Sequence, residues 1–124
     1  MLMVKTYLGK SKIHGFGVFA GEPIRKGQRV WRFVHGFDRI YSHRQFAKLP
    51  KPAQEFIQFH GYGVDDEILL TVDNDRHMNH SENANTDWYR GHIVATRNIA
   101  KDAEITNNYR LFDPGYCASF LAGE

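Results

Sequence analysis

The stretch that decides the fold of this chain lies just past its middle and reads Asp73-Asn74-Asp75-Arg76-His77-Met78-Asn79-His80-Ser81-Glu82-Asn83-Ala84-Asn85. It follows an apolar run, and short polar side chains in such a place commonly bond back to the main chain of a loop. A loop explains this composition. It does not explain the order R-H-M-N-H at residues 76–80, which gains meaning only with two further segments, one on each side.

Two other interpretations of this stretch are weaker. Asn79-His80-Ser81 fits the acceptor pattern for N-glycosylation. However, Met1-Leu2-Met3-Val4-Lys5-Thr6-Tyr7 meets a lysine before any apolar run of signal-peptide length, so we do not expect secretion. A metal site is disfavoured because neither an EF-hand nor a zinc signature has the spacing of the available ligands, Asp73, Asp75, His77 and His80.

The upstream segment is Lys12-Ile13-His14-Gly15-Phe16-Gly17-Val18-Phe19-Ala20. Glycines two apart before a strand allow positive φ and a close approach of the backbone to a ligand. Taken alone, such a G-x-G is more often a turn or a bulge. A Rossmann fingerprint is excluded, because the third glycine and the following helix are both missing.

The downstream segment is Glu104-Ile105-Thr106-Asn107-Asn108-Tyr109. Its pattern is typical of a strand end that runs into a turn. A tyrosine in such a position is more often a core or rim aromatic than a catalyst. Its value lies in combination with the other two segments.

The rest of the chain predicts a mostly β protein with short helices. Runs rich in valine, isoleucine and aromatic residues indicate strands near residues 4–8, 18–20, 29–34, 68–72 and 92–96. No repeat or linker divides the chain, so we expect one domain.

A helical insertion is predicted at about residues 42–60. Ser42 and Gln45 form the pattern of a capping box, which opens a short helix that ends before Pro50. A second helix is predicted after Pro52, because Ala53, Phe56 and Ile57 share one face at helical spacing.

Size, charge and cysteine usage limit the class of protein. A chain of 124 residues fits a single modest core. Its net charge of +2 is far weaker than the footprint of a dedicated nucleic-acid binder, so we expect no direct contact with nucleic acid. Cys117 is the only cysteine, which favours a reducing compartment. No run could span a membrane, so a cytoplasmic location is expected, with the nucleus or nucleoid as alternatives.

In order, G-F-G-V-F-A, R-H-M-N-H-S-E-N-A-N and E-I-T-N-N-Y resemble the signature segments of the SET-domain protein lysine methyltransferases. The usual forms in that family are G-x-G-V-F-A, R-F-I-N-H-S-C-x-P-N and E-L-T-x-D-Y. The long insertion between the first two segments and the hairpin-length stretch between the last two also match. The resemblance covers residues 7–109.

The resemblance implies a SET-type β-clip fold of small sheets with a C-terminal pseudoknot. Residues 1–110 would form the SET domain and 111–124 a tail. The segment with N-H-S and the segment before Tyr109 would pass through each other, with Arg76 anchoring the crossing. Because threaded chains are rare, this fold rests on the resemblance rather than on the pattern.

The resemblance also implies a site for S-adenosyl-L-methionine. The G-x-G backbone would line the cofactor pocket, Asn79 and His80 would hold the amino-acid and adenine portions, and Tyr109 would supply the active-site hydroxyl. Tyr109 is the predicted catalytic residue. The predicted cofactor-binding residues are Gly15, Phe16, Gly17, Arg76, Asn79, His80 and Tyr109.

The chain departs from the usual family pattern in three places. Glu82 stands where the N-H-S-C form has cysteine, and no cysteine cluster follows Tyr109. Asn107 replaces the phenylalanine or tyrosine linked to the number of methyl groups added. The chain therefore resembles the minimal SET proteins of bacteria and large viruses, which lack the pre-SET and post-SET zinc modules. Such small versions can complete their sites as homodimers.

The predicted substrate channel draws on the insertion and the tail. Phe112 and Tyr116 would fold over the lysine, although simple packing of the aromatic tail on the core explains them equally well. Tyr62 and Asn107 are further candidates for the channel wall, and a loop turn is the simpler explanation of Tyr62.

The expected function is methylation of a lysine presented by a protein substrate, a histone or another basic protein. The alternative is a catalytically silent SET-like module that binds a peptide or the cofactor, and the departures at Glu82 and Asn107 keep this alternative open. A small basic β-domain that contacts nucleic acid has no stacking motif to support it.

Overall fold

The computed structural model describes residues 1–64, 67–89 and 92–108. Within these ranges the chain forms short strands, two helices and one 3₁₀ turn. In chain order they are β1 (Thr6–Lys10), β2 (Phe16–Ala20), β3 (Arg29–Arg32), β4 (Arg39–Ser42), α1 (His43–Ala47), α2 (Lys51–His60), β5 (Tyr62–Val64), β6 (Glu67–Leu70), the 3₁₀ turn (Asn74–His77), β7 (Asn79–His80), β8 (Thr86–Tyr89), β9 (His92–Ala95) and β10 (Glu104–Asn107).

The first sheet brings the three polar segments together, in the strand order β1-β2-β10-β7. β1 and β2 form an antiparallel hairpin joined by residues 11–15. β10 pairs antiparallel with β2, where Ile105 lies opposite Val18. On its other side β10 pairs parallel with β7, where Thr106 lies opposite Asn79. The last of the described strands therefore lies between the G-x-G strand and the N-H dipeptide.

Two three-stranded antiparallel sheets complete the architecture. One has the order β3-β9-β8, with an irregular register between Arg29 and Trp31. The other has the order β4-β6-β5 and contains the two strands that flank the helices in sequence. The predicted fold class, mostly β with short helices in small sheets, is confirmed.

One hydrophobic core joins the three sheets. Trp31 is fully buried and lies 6.1 Å from Trp88, measured between ring centroids. Removing an apolar side chain of this size from water stabilises the fold by about 1.5–3 kcal/mol. The core is made of Val4, Val18, Ala20, Ile24, Val30, Trp31, Tyr62, Leu69, Met78, Ile93, Ala95, Ile99 and Ile105.

The capping box predicted at the start of the helical insertion is confirmed. The Ser42 hydroxyl accepts a hydrogen bond from the Gln45 amide at 3.1 Å, and the Gln45 side chain accepts one from the Ser42 amide at 2.9 Å. α2 begins at Lys51, one residue before Pro52. Proline is tolerated there because the amides of the first helical turn have no intrahelical acceptor, so the N–H that proline lacks is not needed.

The shared apolar face predicted for α2 is only partly correct. Ile57 is buried, whereas Phe56 is 43% exposed. The Phe56 ring instead packs on the outer side, 4.6 Å from the His60 ring between centroids. A helix of ten residues at the edge of a small core buries only a narrow stripe of its own surface, and Phe56 lies just outside that stripe.

The five predicted strands are all present, with ends shifted by a few residues. The strands β4, β5, β7 and β8 were not predicted, because two to four residues carry too little alternation for a strand signal. Neither helix in the described part of the chain is long and apolar enough to cross a membrane.

Candidate functional site

The crossing of two chain segments builds the site. β7 and β10 pair in parallel, with Asn107 opposite His80. The Ser81 amide then donates a hydrogen bond of 2.9 Å to the Asn107 carbonyl. Four residues later the chain returns to the same strand, where the Asn85 side chain donates to the Glu104 carbonyl at 2.8 Å. Residues 79–86 therefore contact β10 at both ends. The implied pseudoknot requires this arrangement of the described residues.

The two faces of β10 are chemically different, because successive side chains of a strand alternate. Ile105 and Asn107 are fully buried on one face. Glu104 and Thr106 lie on the other, where they bind Asn79 and Asn85 respectively. The polar face of this strand holds the polar stretch in place.

Asn79 joins this crossing to the G-x-G hairpin. Its side-chain nitrogen donates to the carbonyls of His14 and Phe16, at 3.0 and 3.1 Å, and to Glu104 Oε2 at 3.0 Å. Three acceptors around the nitrogen assign the orientation of this amide. Its oxygen, Oδ1, receives no hydrogen bond from the described residues and remains an acceptor for a ligand.

Glu104 binds the same hairpin from the other side. The Ser11 hydroxyl lies 2.8 and 2.9 Å from the two carboxylate oxygens of Glu104. Ser11 also closes the turn, because its amide donates to the Gly15 carbonyl at 2.8 Å and its hydroxyl accepts from the Ile13 amide at 2.9 Å. The carboxylate therefore fixes the turn that precedes G-x-G.

The two glycines of G-x-G meet different needs. A Cβ atom on Gly17 would collide with Glu104 Oε2 and lie 2.8 Å from its Cδ. Gly15 has a φ of +47° and open space where a Cβ would stand, so its requirement is conformational. Between them Phe16 is 65% exposed, which leaves an aromatic ring on the surface beside the turn.

His80 lies at the outer end of β7. Its Nε2 is 3.3 Å from Glu82 Oε1, and the Glu82 side chain is largely exposed. Its backbone pairs with β10, so the position of the imidazole is set by the crossing. The glutamate that replaces the family cysteine thus contacts the histidine predicted to bind adenine.

Arg76 does not join this group. Its guanidinium lies over the Phe56 ring at 5.8 Å, and its carbonyl is 3.3 Å from His60 Nδ1. These contacts attach the 3₁₀ turn to α2. Arg76 therefore connects the polar stretch with the helical insertion, and no described contact places it beside Gly17 or Asn79.

A histidine pair accompanies Arg76. The rings of His60 and His77 lie 5.5 Å apart between centroids. Partial burial lowers the pKa of both imidazoles, and the positive charge of Arg76 lowers both further. For the pKa of His77, the nearby His60 acts in the same direction. Both imidazoles therefore bind a proton less readily than a histidine in water.

Tyr62 and Asn107 are both inside the protein. The Tyr62 hydroxyl donates to the Asp75 carbonyl at 3.1 Å, and its ring belongs to the core. The Asn107 amide is 1% exposed, and within the described part of the chain neither its nitrogen nor its oxygen has a hydrogen-bond partner. Tyr62 lies in β5, so the loop turn expected there is wrong. A channel that these residues line must open into the core.

Asp75 is a buried acid behind the polar stretch. Burial, with a smaller contribution from the charge of Asp73, raises the pKa of its carboxyl to about 7. The Thr71 hydroxyl is near enough to oppose the rise, yet among the described residues neither side-chain oxygen of Asp75 has a well-formed hydrogen bond. This carboxyl therefore keeps its proton to a much higher pH than an aspartate in water does.

The polar residues that could have held a metal are directed elsewhere. Asp73 accepts hydrogen bonds from the amides of Leu2 and Asp75, at 2.7 and 3.2 Å. Among the described residues no three histidine, cysteine or acidic side chains are placed to hold a metal ion.

Three predicted site residues, Tyr109, Phe112 and Tyr116, lie outside the described residues.

Sequence reasoning missed three residues of this arrangement. In the sequence, Glu104 and Asn85 are visible only as the first residue of one motif and the last residue of another. Their roles depend on partners in distant segments, which residue spacing does not reveal. Ser11 carries no motif at all, since a serine before a glycine turn is common.

A model of the SET domain family matches residues 15–110 of this chain. None of the curated proteins compared with the chain matches it at a significant level. The family match spans more than half of the chain and includes all three quoted segments.

Solved structures of the same fold are similar to the chain. A candidate histone methyltransferase of Plasmodium falciparum is 24% identical with a TM-score of 0.62, over 87% of this chain and 95% of that one. A Polycomb Repressive Complex 2 chain from Chaetomium thermophilum is 19% identical with a TM-score of 0.67, over 96% and 17%. The same complex in an autoinhibited conformation bound to S-adenosylmethionine is 20% identical with a TM-score of 0.66, over 97% and 17%. The chain thus spans a small part of the Polycomb chains.

Proposed function

This chain belongs to the SET domain family, and from that premise we propose that it transfers methyl groups from S-adenosylmethionine to a lysine of a protein substrate. The proposal assigns residues 1–110 to the SET domain, 42–60 to its helical insertion and 111–124 to a tail that closes the lysine channel. The cofactor would lie between the G-x-G hairpin and the dipeptide of Asn79 and His80.

The observation that carries the proposal is the position of Asn79. Its side chain binds the main chain of the G-x-G hairpin, 63 and 65 residues away in sequence. Two segments that resemble cofactor-binding motifs are therefore in direct contact.

The residues present suit the cofactor. Asn79 Oδ1 is an acceptor that no described residue donates to, and such an oxygen is the complement of an ammonium group. The turn ending at Gly15 leaves open space where a side chain would stand, and main-chain groups there can approach a ligand closely. We propose that Phe16 and His80 contribute their backbones.

S-adenosylmethionine supplies the methyl group on a positively charged sulfur. The protein must present the lysine amine without its proton, although a lysine in water has a pKa near ~10.4. An apolar channel lowers that pKa by excluding water. We propose that the Tyr109 hydroxyl positions the amine and the methyl group, so that orientation rather than a strong base provides most of the rate.

The channel is proposed to include Tyr62, Asn107, Phe112 and Tyr116. Asn107 supports it, because a buried amide with neither atom paired is unfavourable unless a ligand or water binds it. Tyr62 would contribute its ring from the core side. Phe112 and Tyr116 would cover the lysine from the tail.

We further propose a basic protein such as a histone as substrate, with a cytoplasmic, nuclear or nucleoid location. Homodimerisation remains a proposal for how a minimal SET domain completes its site. Polycomb Repressive Complex 2, to which one similar chain belongs, is a multi-subunit assembly. A partner chain would therefore be a second way to complete it.

The test is incubation of the chain with labelled S-adenosylmethionine and a lysate of the source cells, followed by mass spectrometry of modified lysines. Tyr109→Phe should lose turnover while its thermal unfolding stays unchanged. Absence of cofactor binding would sink the proposal. Binding without methylation of any protein would support the catalytically silent module.

For cofactor binding, the informative variant is Asn79→Asp. It keeps an oxygen at Oδ1 but replaces the donor nitrogen with a second oxygen that faces two carbonyls and the Glu104 carboxylate. We expect it to lose cofactor binding, whereas Asn83→Ala, an exposed change in the same stretch, should bind normally. Equal binding by both variants would contradict the assignment of Asn79.

A further inference from the structure

The Glu104 carboxylate is a negative charge built into the point where the three segments meet. It accepts hydrogen bonds from Ser11 and Asn79, both of which are uncharged donors. No lysine or arginine among the described residues forms an ion pair with it. An ionised carboxylate carries one negative charge, and no lysine or arginine within residues 1–64, 67–89 and 92–108 compensates this one.

The place of this charge follows from the sheet. Backbone pairing of Glu104 with Phe19 holds it beside the G-x-G strand. Gly17 leaves the room that the carboxylate occupies. The hydrogen bond from Ser11 prevents the carboxylate from turning into solvent. Three separate features therefore hold one charge at the proposed cofactor site.

The other acidic side chain nearby is different. Glu82 is largely exposed and contacts His80, so water and salt screen its charge. Glu104 is partly buried, and its field reaches the site with less screening. Of these two carboxylates, Glu104 is the one able to act on a bound molecule.

We propose that Glu104 makes the site select the positively charged methyl donor over the neutral product. This inference rests on the proposed function. S-adenosylmethionine carries a sulfonium, an ammonium and a carboxylate, with a net charge of about +1 at neutral pH. When the amine forms its new N–C bond, the S–C bond breaks and its electron pair stays on sulfur. The product is a neutral thioether, S-adenosylhomocysteine, and the amine proton passes to water.

Glu104 has a second effect through its neighbours. It holds the nitrogen of Asn79, and this leaves Asn79 Oδ1 as the free end of the amide. It also holds the Ser11 turn. Glu104 is thus a positioning residue that contacts the proposed cofactor-binding groups. Its charge adds a preference for the charged methyl donor over the neutral product, which hydrogen bonding alone does not supply.

The test compares two dissociation constants by isothermal titration calorimetry on the full chain, one for S-adenosylmethionine and one for S-adenosylhomocysteine. Glu104→Gln keeps the shape and removes the charge. We expect the ratio of product Kd to donor Kd to fall about five- to tenfold in this variant. In Ser11→Ala, which removes a hydrogen bond and keeps the charge, the ratio should fall by less than in Glu104→Gln.

Two further measurements keep the inference falsifiable if Glu104→Gln does not fold. Glu104→Asp should keep most of the wild-type ratio, since it retains the charge. In the wild type the ratio should decrease as salt increases, because salt screens the carboxylate.

An unchanged ratio in Glu104→Gln, or a wild-type ratio that is insensitive to salt, would overturn the role of Glu104 while the proposed function stands. If the wild type binds neither molecule, the proposed function fails and the inference fails with it.

Discussion

Asn85 and Thr106 bind each other through both main chain and side chain. Asn85 Oδ1 accepts from the Thr106 amide at 2.9 Å, and the Asn85 amide is 3.3 Å from Thr106 Oγ1. The Asn85 side-chain nitrogen also donates to the Glu104 carbonyl. One asparagine thus closes the crossing on which the site is built.

Replacing Asn85 with alanine should destabilise the whole domain. The buried Thr106 amide and the part-buried Glu104 carbonyl would both lose this partner, and each loss costs about 1–3 kcal/mol. We expect a decrease of about 2–4 kcal/mol in the free energy of unfolding by urea. Asn83→Ala, an exposed change two residues away, should stay within about 0.5 kcal/mol. Equal effects of the two changes would argue against the crossing.

Gly17→Ala should lower the free energy of unfolding because the new methyl group meets Glu104, and not because of backbone strain. The new methyl group would displace the carboxylate, with an expected loss of about 1–3 kcal/mol. The check is a double-mutant cycle measured by thermal unfolding. In a Glu104→Ala background the effect of Gly17→Ala should become much smaller. Gly15→Ala, where the φ of +47° is the constraint, should show no such coupling to Glu104.

Asp75 should make the protein less stable as pH rises from about 4 to about 7. Its pKa is raised from 3.8 to about 7 in the fold, so over this range the unfolded chain has lost a proton that the folded chain retains. The free energy of unfolding then decreases with pH, and the contribution becomes level above about 7.

Asp75→Asn isolates this effect, since other carboxyl groups titrate in both proteins. The variant should gain stability relative to the wild type as pH rises, by the order of a few kcal/mol at pH 8. The measurement is the urea midpoint of both proteins from pH 4 to 8. A difference that does not vary with pH would show that Asp75 does not titrate in this range.

Arg76 should control the titration of the histidine pair. Its charge lowers the pKa of both His60 and His77, so Arg76→Met should raise both values toward that of a free imidazole. Titration by NMR of the two ring protons is the check. Arg44→Met, a change of charge on α1, should leave both values where they are, and a shift of equal size there would contradict the assignment.

Local features of the fold could be predicted because their causes are local. The capping box of Ser42 and Gln45 involves residues three apart, and the alternation of apolar residues marked the longer strands. Phe56 was misplaced because helical spacing gives a face but not the width of the core beneath it. The dipeptide of β7 could not be predicted, since its pairing depends on Thr106 and Asn107, far along the chain.

Sequence spacing singled out Asn79, Arg76 and Tyr62 as candidates but could not give their contacts. Asn79 was expected to hold the cofactor directly, yet its nitrogen is used by the protein itself, which leaves one oxygen for a ligand. Arg76 was expected at the cofactor, yet its guanidinium packs on Phe56. Tyr62 was expected at a loop turn, yet it is part of the core.

By itself, the sequence determined the family, the mostly β class and the order of the three segments, because order and spacing survive in a linear pattern. Only the tertiary structure decided that Glu104 meets Asn79, Ser11 and Gly17 at one point. Those contacts join residues 25 and 93 positions apart. Their energies come from hydrogen bonds and steric fit in three dimensions, which no spacing along the chain expresses.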